Sequence, residues 1–93
     1  MIKSFKCKEP NKIFNGEFSK KLPSDIQKIA YKKLQMIDVA MNISDLKIPP
    51  NNKLEALKND RKGQYSIRIN DQFRICFVWL NNNAVDVEIV DYH

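Results

Sequence analysis

Residues 64–90 read QYSIRINDQFRICFVWLNNNAVDVEIV, and apolar and polar side chains alternate along most of this stretch. Three alternating runs, residues 65–69, 73–79 and 85–90, are separated by turns rich in Asn and Asp. Alternation of this kind is typical of strands with one buried face, and Asn and Asp are typical of tight turns. The stretch therefore predicts an antiparallel meander of three strands.

The pairing of the first two strands follows from the register that keeps the apolar residues on one face. A three-residue turn at 70–72 sets Ile67 opposite Ile75, whereas a two-residue turn would mix the two faces. The same register sets Arg68 opposite Arg74, and like charges that face each other destabilise a sheet. These two side chains either splay into water or hold an anion together, and the sequence favours neither alternative.

The second hairpin is predicted by the same rule. A three-residue turn at 81–83 sets Trp79 opposite Val85. Extension of this ladder brings Val90 beside Arg74, at the end of the sheet where Gln72 and the first turn lie. The ladder also carries the last three residues, Asp91, Tyr92 and His93, to that end of the sheet.

Helices are predicted upstream of the strands. Residues 24–41 have apolar side chains at helical spacing, and Ser24 with Gln27 forms the pattern of a capping box. Lysines on the other positions, including Lys33, are expected on a solvated face. A shorter helix is predicted at residues 10–18. A helical turn is predicted around residues 44–46.

The N-terminal residues add an edge strand, with Ile2 and Phe5 as its apolar anchors. Together these elements predict an α+β fold in which N-terminal helices pack on one face of a small antiparallel sheet. Residues 1–93 are the length of one domain, and 43% hydrophobic residues suffice for a single core.

Composition excludes several classes of protein. The chain has no apolar run long enough to span a membrane and no N-terminal signal pattern, which predicts a cytoplasmic protein. One histidine and two distant cysteines, Cys7 and Cys76, cannot form a zinc cluster, and two reduced, partly buried thiols are expected. A net charge of +5 favours nucleic acid or an acidic protein as the partner.

The predicted cluster at the strand end suits phosphate chemistry. A guanidinium pair, Arg68 and Arg74, would stabilise the extra negative charge of a pentacoordinate phosphate. The terminal trio supplies groups that exchange protons near neutral pH. RNA carries its own nucleophile, the 2′-hydroxyl, so this chemistry requires no metal or cofactor. Lys58, Arg61 and Lys62 could position phosphates. A simple anion-binding module remains an alternative.

Four motifs resemble those of one known family in order and spacing. They are Leu54-Glu55-Ala56-Leu57, then residues 59–67 (NDRKGQYSI), then Phe73-Arg74-Ile75-Cys76-Phe77, and finally Val90-Asp91-Tyr92-His93. The opening residues and the helix agree too, so the chain resembles HigB-type toxins of the RelE/ParE superfamily over essentially its whole length.

The resemblance implies a RelE-like fold and an endoribonuclease that cleaves mRNA while the ribosome translates it. It assigns the catalytic site to Arg74 together with Asp91, Tyr92 and His93. It also implies a HigA-like antitoxin with a helix-turn-helix, which neutralises the toxin and represses the shared operon. Operator DNA would then be bound only through the toxin–antitoxin complex.

One position departs from the family pattern. Some members have a histidine where this chain has Glu55, and a carboxylate cannot remain cationic, so the division between general acid and general base changes. Glu55 is grouped with the RNA-contacting candidates. A ParE-like gyrase inhibitor that acts by binding is the alternative, and a non-toxic RNA- or DNA-binding module is a weaker one. The terminal trio beside Arg74 favours the nuclease, because a pure binder has no evident need for it.

Overall fold

The computed structural model describes residues 1–91 and confirms the α+β class. In this part of the chain the helices are α1 (Lys8–Phe14) and α2 (Ser24–Val39), and the strands are β1 (Glu55–Ala56), β2 (Gln64–Arg68), β3 (Phe73–Leu80) and β4 (Asn83–Asp91). The strands form an antiparallel sheet in the order β1-β2-β3-β4. Short 3₁₀ turns connect α2 to the sheet and β1 to β2, and they span Ile43–Lys47, Pro50–Asn52 and Asn59–Arg61.

The core lies between α2 and one face of the sheet. Fully buried side chains of α2, including Leu34 and Ile37, pack in one cluster with Ile67, Ile75 and Phe77 of the strands. Burial of an aliphatic or aromatic side chain of this size contributes about 1.5–3 kcal/mol. The predicted apolar stripe of α2 therefore holds the helix on the sheet, although Ile29 and Met41 of that stripe are exposed.

The predicted capping box is wrong. Ser24 is the first helical residue, Pro23 precedes it, and no side chain caps the helix start. Gln27 is buried instead, where its amide accepts from the Ser19 N–H at 2.9 Å and donates to the carbonyls of Ser19 at 2.7 Å and Leu22 at 3.0 Å. A buried amide must find partners, and the backbone between the helices supplies them.

Lys33 was expected on a solvated face, but it is buried. Its ammonium donates to the side-chain oxygen of Asn52, and the Asn52 amide donates to the carbonyls of Leu46 at 3.1 Å and Ile48 at 3.3 Å. Burial, with a smaller effect from the positive charge of Arg68, lowers the pKa of Lys33. The pair thus fastens the first two 3₁₀ turns to α2.

The N-terminal region differs in detail from the prediction. Helix α1 spans Lys8–Phe14 rather than 10–18, and Pro10 fits its first turn, where a missing N–H costs nothing. The predicted edge strand is present only as two parallel bridges to β4, which join Ile2 to Ala84 and Phe5 to Val87.

The first hairpin has the predicted register. Ile67 pairs with Ile75, and Arg68 pairs with Arg74. The second hairpin keeps the predicted register only at its far end, where Arg74 pairs with Val90.

The predicted turn at 81–83 and the pairing of Trp79 with Val85 are wrong, because Trp79 pairs with Ala84. Asn81 and Asn82 both have positive φ, as the two central residues of a tight hairpin turn that matches the twist of the strands do. Because the turn is shorter than predicted, β4 has one residue more than β3 between the pairs Cys76–Glu88 and Val78–Val85. A bulge accommodates this residue, and Asp86 (φ 53°) lies in it.

Among residues 1–91, no helix is both long and apolar enough to cross a membrane.

Candidate functional site

The sheet face away from α2, called the open face below, collects the polar residues of the strands. One row across the sheet pairs Glu55 with Ser66, Ser66 with Cys76, and Cys76 with Glu88. The adjacent row contains Arg68, Arg74 and Val90. The open face is polar but not fully solvated, since Ser66, Cys76 and Glu88 are buried.

Arg74 is firmly held on this face. Its Nε donates to the Ser66 hydroxyl at 2.8 Å, and its Nη2 donates to the backbone carbonyl of Lys53 at 2.7 Å. The side chain is only 12% exposed, and the Glu55 carboxylate lies 3.9 Å from Nη2. A guanidinium fixed in this way keeps its orientation without a substrate, which is what preorganised charge stabilisation requires.

Arg68 faces Arg74 along the backbone, but its guanidinium turns toward the hairpin turn, where it pairs with the exposed carboxylate of Asp71. The two guanidinium groups diverge, but they do not turn into water as the first alternative expected: each has a carboxylate of its own, and this relieves the repulsion between them. The two arginines therefore do not form a joint anion clamp in this structure.

Arg61, the last residue of the third 3₁₀ turn, reaches the open face at Glu88. Its Nη1 donates to Glu88 Oε2 at 3.0 Å and to Gln64 Oε1 at 3.1 Å. The ammonium of Lys6 lies 3.5 Å from the same Glu88 oxygen. One buried carboxylate thus joins cations from two distant parts of the chain.

Cys76 lies in the middle of the open face and is fully buried, whereas Cys7 is exposed and not partly buried as expected. Burial raises the pKa of the Cys76 thiol; the charges of Arg61 and Arg74 have smaller lowering effects, and those of Glu88 and Glu55 have smaller raising effects. A thiol that stays protonated is a poor nucleophile, so Cys76 fills space in this site.

The structure brings together three of the four residues grouped as RNA-contacting candidates. Glu55, Lys58 and Arg61 line a shallow cavity of about 260 Å³ at the β1 edge. Lys62 is exposed and does not line it. The carboxylate of Glu55 also approaches Arg74, so this cavity adjoins the anchored guanidinium.

The terminal trio is described only at its first residue. Asp91 pairs with Phe73 in the sheet, and its carboxylate accepts a hydrogen bond from Gln72 Nε2 at 3.1 Å. Strand alternation starts this side chain on the face opposite to Arg74. Tyr92 and His93 lie outside the described residues, and their roles remain predictions.

Several residues that build the site were not singled out from the sequence. Ser66 and Glu88 share the open-face parity of the arginines, and this parity was the available signal. Lys53 contributes its backbone carbonyl from a left-handed conformation (φ 46°). A lysine in the sequence does not predict this conformation. Within residues 1–91, no group of three or more His, Cys, Asp or Glu side chains could hold a metal ion.

Comparison with known proteins finds relatives along the whole chain. Residues 3–93 match a family described as RelE-like toxin of type II toxin-antitoxin system HigB. Endoribonuclease HigB of Proteus vulgaris is 37% identical over 94 residues, which cover 100% of both chains. Toxin HigB-1 of Vibrio cholerae is 42% identical over 65 residues, or 70% of this chain and 68% of that protein.

A solved structure has the same fold at lower sequence similarity. The YoeB-YefM complex from Staphylococcus aureus contains a chain that superposes with a TM-score of 0.62 at 21% identity. The match covers 100% of this chain and 98% of that one. It supports the RelE-like architecture expected from the sequence.

Proposed function

The chain belongs to the HigB-like family of RelE-like toxins, and from this premise we propose that it is an endoribonuclease that cleaves mRNA during translation on the ribosome. The observation that carries the proposal is the anchored guanidinium of Arg74 on the open face. The full-length relative named as an endoribonuclease supports the same activity.

In the proposed reaction the 2′-oxygen of the RNA attacks the adjacent phosphorus, and the bond from phosphorus to the 5′-oxygen of the next nucleotide breaks. A cyclic phosphate and a free 5′-hydroxyl result. Arg74 would bind the non-bridging oxygens, on which negative charge increases in the transition state. Its bonds to Ser66 and to the Lys53 carbonyl fix the donor beforehand, so little reorganisation accompanies the reaction.

Two proton transfers complete the proposed reaction, one from the 2′-hydroxyl and one to the leaving 5′-oxygen. On the basis of the family resemblance we assign them to the terminal residues Tyr92 and His93. The resemblance also names Asp91, but its side chain starts on the face opposite to Arg74 and accepts from Gln72, so we assign it neither transfer. Glu55 is the carboxylate next to Arg74, at 3.9 Å, and it is about half exposed. It is suited to accept a proton but not to act as a cationic acid.

Other cations would position the RNA strand. Lys58 and Arg61 line the cavity beside Glu55, Lys62 is exposed next to Arg61 in the chain, and Arg68 pairs with Arg74 across the sheet. Contacts of this kind bind phosphates without reading the base sequence. The proposed substrate is single-stranded mRNA that the ribosome presents. The proposed site of action is the cytoplasm.

The proposed partner is a HigA-like antitoxin. Membership of a type II toxin family supports a protein antitoxin, and the solved relative was captured in a complex. We further propose that the antitoxin, and not this chain, supplies the contacts to operator DNA.

Induced expression in a bacterium tests the function. We expect growth to slow and new 5′ ends to form in a reporter mRNA that carries its start codon. A matched reporter without the start codon should stay intact. Equal cleavage of both messages would disprove the dependence on translation. Intact transcripts accompanied by gyrase-linked DNA breaks would instead identify a ParE-like inhibitor.

A further inference from the structure

A groove of about 600 Å³, the lysine groove below, runs along the N-terminal segment. It is lined by Ile2–Lys8 together with Asn11. Its charged lining residues are Lys3, Lys6 and Lys8, and all three are exposed. The segment is fixed to β4 by hydrogen bonds between Lys3 N–H and the Ala84 carbonyl (2.8 Å) and between Lys6 N–H and the Val87 carbonyl (3.0 Å), so the lysines project from an ordered backbone.

The lysine groove meets the candidate site at Glu88. Lys6 extends from the groove to Glu88 Oε2 at 3.5 Å, and Arg61 reaches the same oxygen from the β1 side at 3.0 Å. Arg61 also lines the cavity that contains Glu55 and Lys58. Lys6 and Arg61 therefore lie on the two sides of one carboxylate and link the cavity to the lysine groove.

The exposure of these groups differs in a way that suits a ligand. The Lys6 side chain is 56% exposed and that of Arg61 is 35% exposed, whereas Glu88 is only 12% exposed. A passing phosphate can therefore reach both cations, while the carboxylate between them stays below the surface. An ion pair as exposed as that between Lys6 and Glu88 contributes little to the free energy of unfolding, so stabilisation of the fold does not account for it.

We propose that the lysine groove is a strand path: it binds backbone phosphates of the substrate RNA on one side of the scissile bond. This inference rests on the proposed function and extends its substrate site by a second, non-catalytic contact surface. Lys3, Lys6 and Lys8 bind the strand that leaves Arg61, and the Glu88 carboxylate between Lys6 and Arg61 opposes this binding by its negative charge. The path carries no base specificity, because lysine contacts phosphate as a point charge.

The salt dependence of RNA binding tests the strand path. The probe is a 12-nucleotide single-stranded RNA with 2′-O-methyl groups, which binds but cannot be cleaved. Each phosphate contact on a single strand contributes roughly −0.7 to the slope of log K against log salt concentration. The double variant Lys3→Gln/Lys6→Gln should therefore have a slope shallower by about 1.4 and, near 0.1 M salt, an affinity lower by roughly 10- to 30-fold.

A matched control removes the same charge elsewhere. Lys28 and Lys32 are exposed on α2, which covers the opposite face of the sheet. The variant Lys28→Gln/Lys32→Gln should leave the slope nearly unchanged. An equal loss in both double variants would show that only net charge matters and would overturn the strand path.

The variant Glu88→Gln distinguishes two roles of Lys6: direct contact with the RNA, and a purely structural contact with Glu88. If the strand passes Lys6 and Arg61, removal of the negative charge between them strengthens RNA binding several-fold. If Lys6 acts only by holding Glu88 and Arg61 in place, Glu88→Gln weakens binding as the lysine variants do. Weaker binding would overturn the proposal.

Two further results would overturn the path without touching the proposed nuclease. The first is failure of the wild-type chain to bind the RNA even at the lowest salt concentration. The second is a lysine variant that loses affinity for ribosomes but not for the RNA, which would assign the lysine groove to ribosomal RNA. In both cases the reporter with and without a start codon still tests the nuclease on its own.

Discussion

The two faces of the sheet are buried by different means. On the core face, Ile67, Ile75 and Phe77 are fully buried by apolar contact with the helices. On the open face, Ser66 and Glu88 are buried as well, but each is hydrogen-bonded or ion-paired to an arginine. Removal of a side chain from the core face thus costs packing, whereas removal from the open face leaves a polar partner without its bond.

This difference has a functional consequence. The core-face side chains are close-packed and carry no group that could bind a substrate or transfer a proton, so this face serves to stabilise the fold. On the open face, fixed guanidinium groups lie beside the cavity lined by Glu55, Lys58 and Arg61, where we propose that RNA binds. Substitutions on the two faces should therefore separate stability from activity.

The largest expected effect is on the core face. Phe77→Ala should lower the free energy of unfolding by about 3–5 kcal/mol, because it removes a fully buried aromatic side chain and leaves a cavity. Its neighbour Val78 points to the open face and is half-buried, so Val78→Ala should cost about 1 kcal/mol. Urea denaturation of the two variants measures both values. Similar losses would contradict the assignment of the faces.

The core face could be predicted from the sequence because alternation has one solution. Only a three-residue first turn keeps Ile67 and Ile75 together, and the structure has this register. The second turn could not be fixed in the same way, since a bulge beside Asp86 allows a shorter turn with the same far pairing. A bulge changes the register by one residue without changing the order of apolar residues.

The next effect is on the open face. Arg74→Ala should reduce the rate of RNA cleavage by about 10²- to 10³-fold, as expected when one preorganised donor to a developing charge is lost. From the sequence alone, the repulsion between Arg68 and Arg74 predicts that Arg74→Ala raises the stability of the fold. In the structure, however, the Arg68 guanidinium pairs with Asp71, and Arg74→Ala leaves the buried Ser66 hydroxyl without its partner.

We therefore expect Arg74→Ala to lose about 1–2 kcal/mol of stability rather than gain it. Single-turnover cleavage on programmed ribosomes and urea denaturation of the same preparation give the two quantities. A destabilised variant that retains full activity would assign Arg74 a structural role only.

The site was harder to predict than the fold. Sequence parity placed Arg68, Arg74 and Val90 in one row, and the structure has that row. Parity cannot tell where long side chains end, so it gave neither the divergence of the arginines nor the contact of Arg61 with Glu88 across 27 residues of sequence. The burial of Lys33 was missed for the same reason: its partner Asn52 comes from a loop whose path no periodicity encodes.

The smallest effect concerns the residue that orients Arg74. Ser66 is fully buried, and its hydroxyl accepts the Arg74 Nε–H at 2.8 Å. Ser66→Ala keeps the guanidinium but removes this contact, so roughly tenfold should be lost from kcat, equivalent to about 1.4 kcal/mol. The KM should change little, because the donor acts mainly on charge that develops in the transition state. Ser66→Thr keeps the hydroxyl and should restore most of the rate, whereas Val78→Ala, on the same face, should leave the rate unchanged. If Ser66→Thr were as slow as Ser66→Ala, the hydroxyl would not be the group that positions Arg74. The orientation of the Arg74 guanidinium would then depend on its bond to the Lys53 carbonyl.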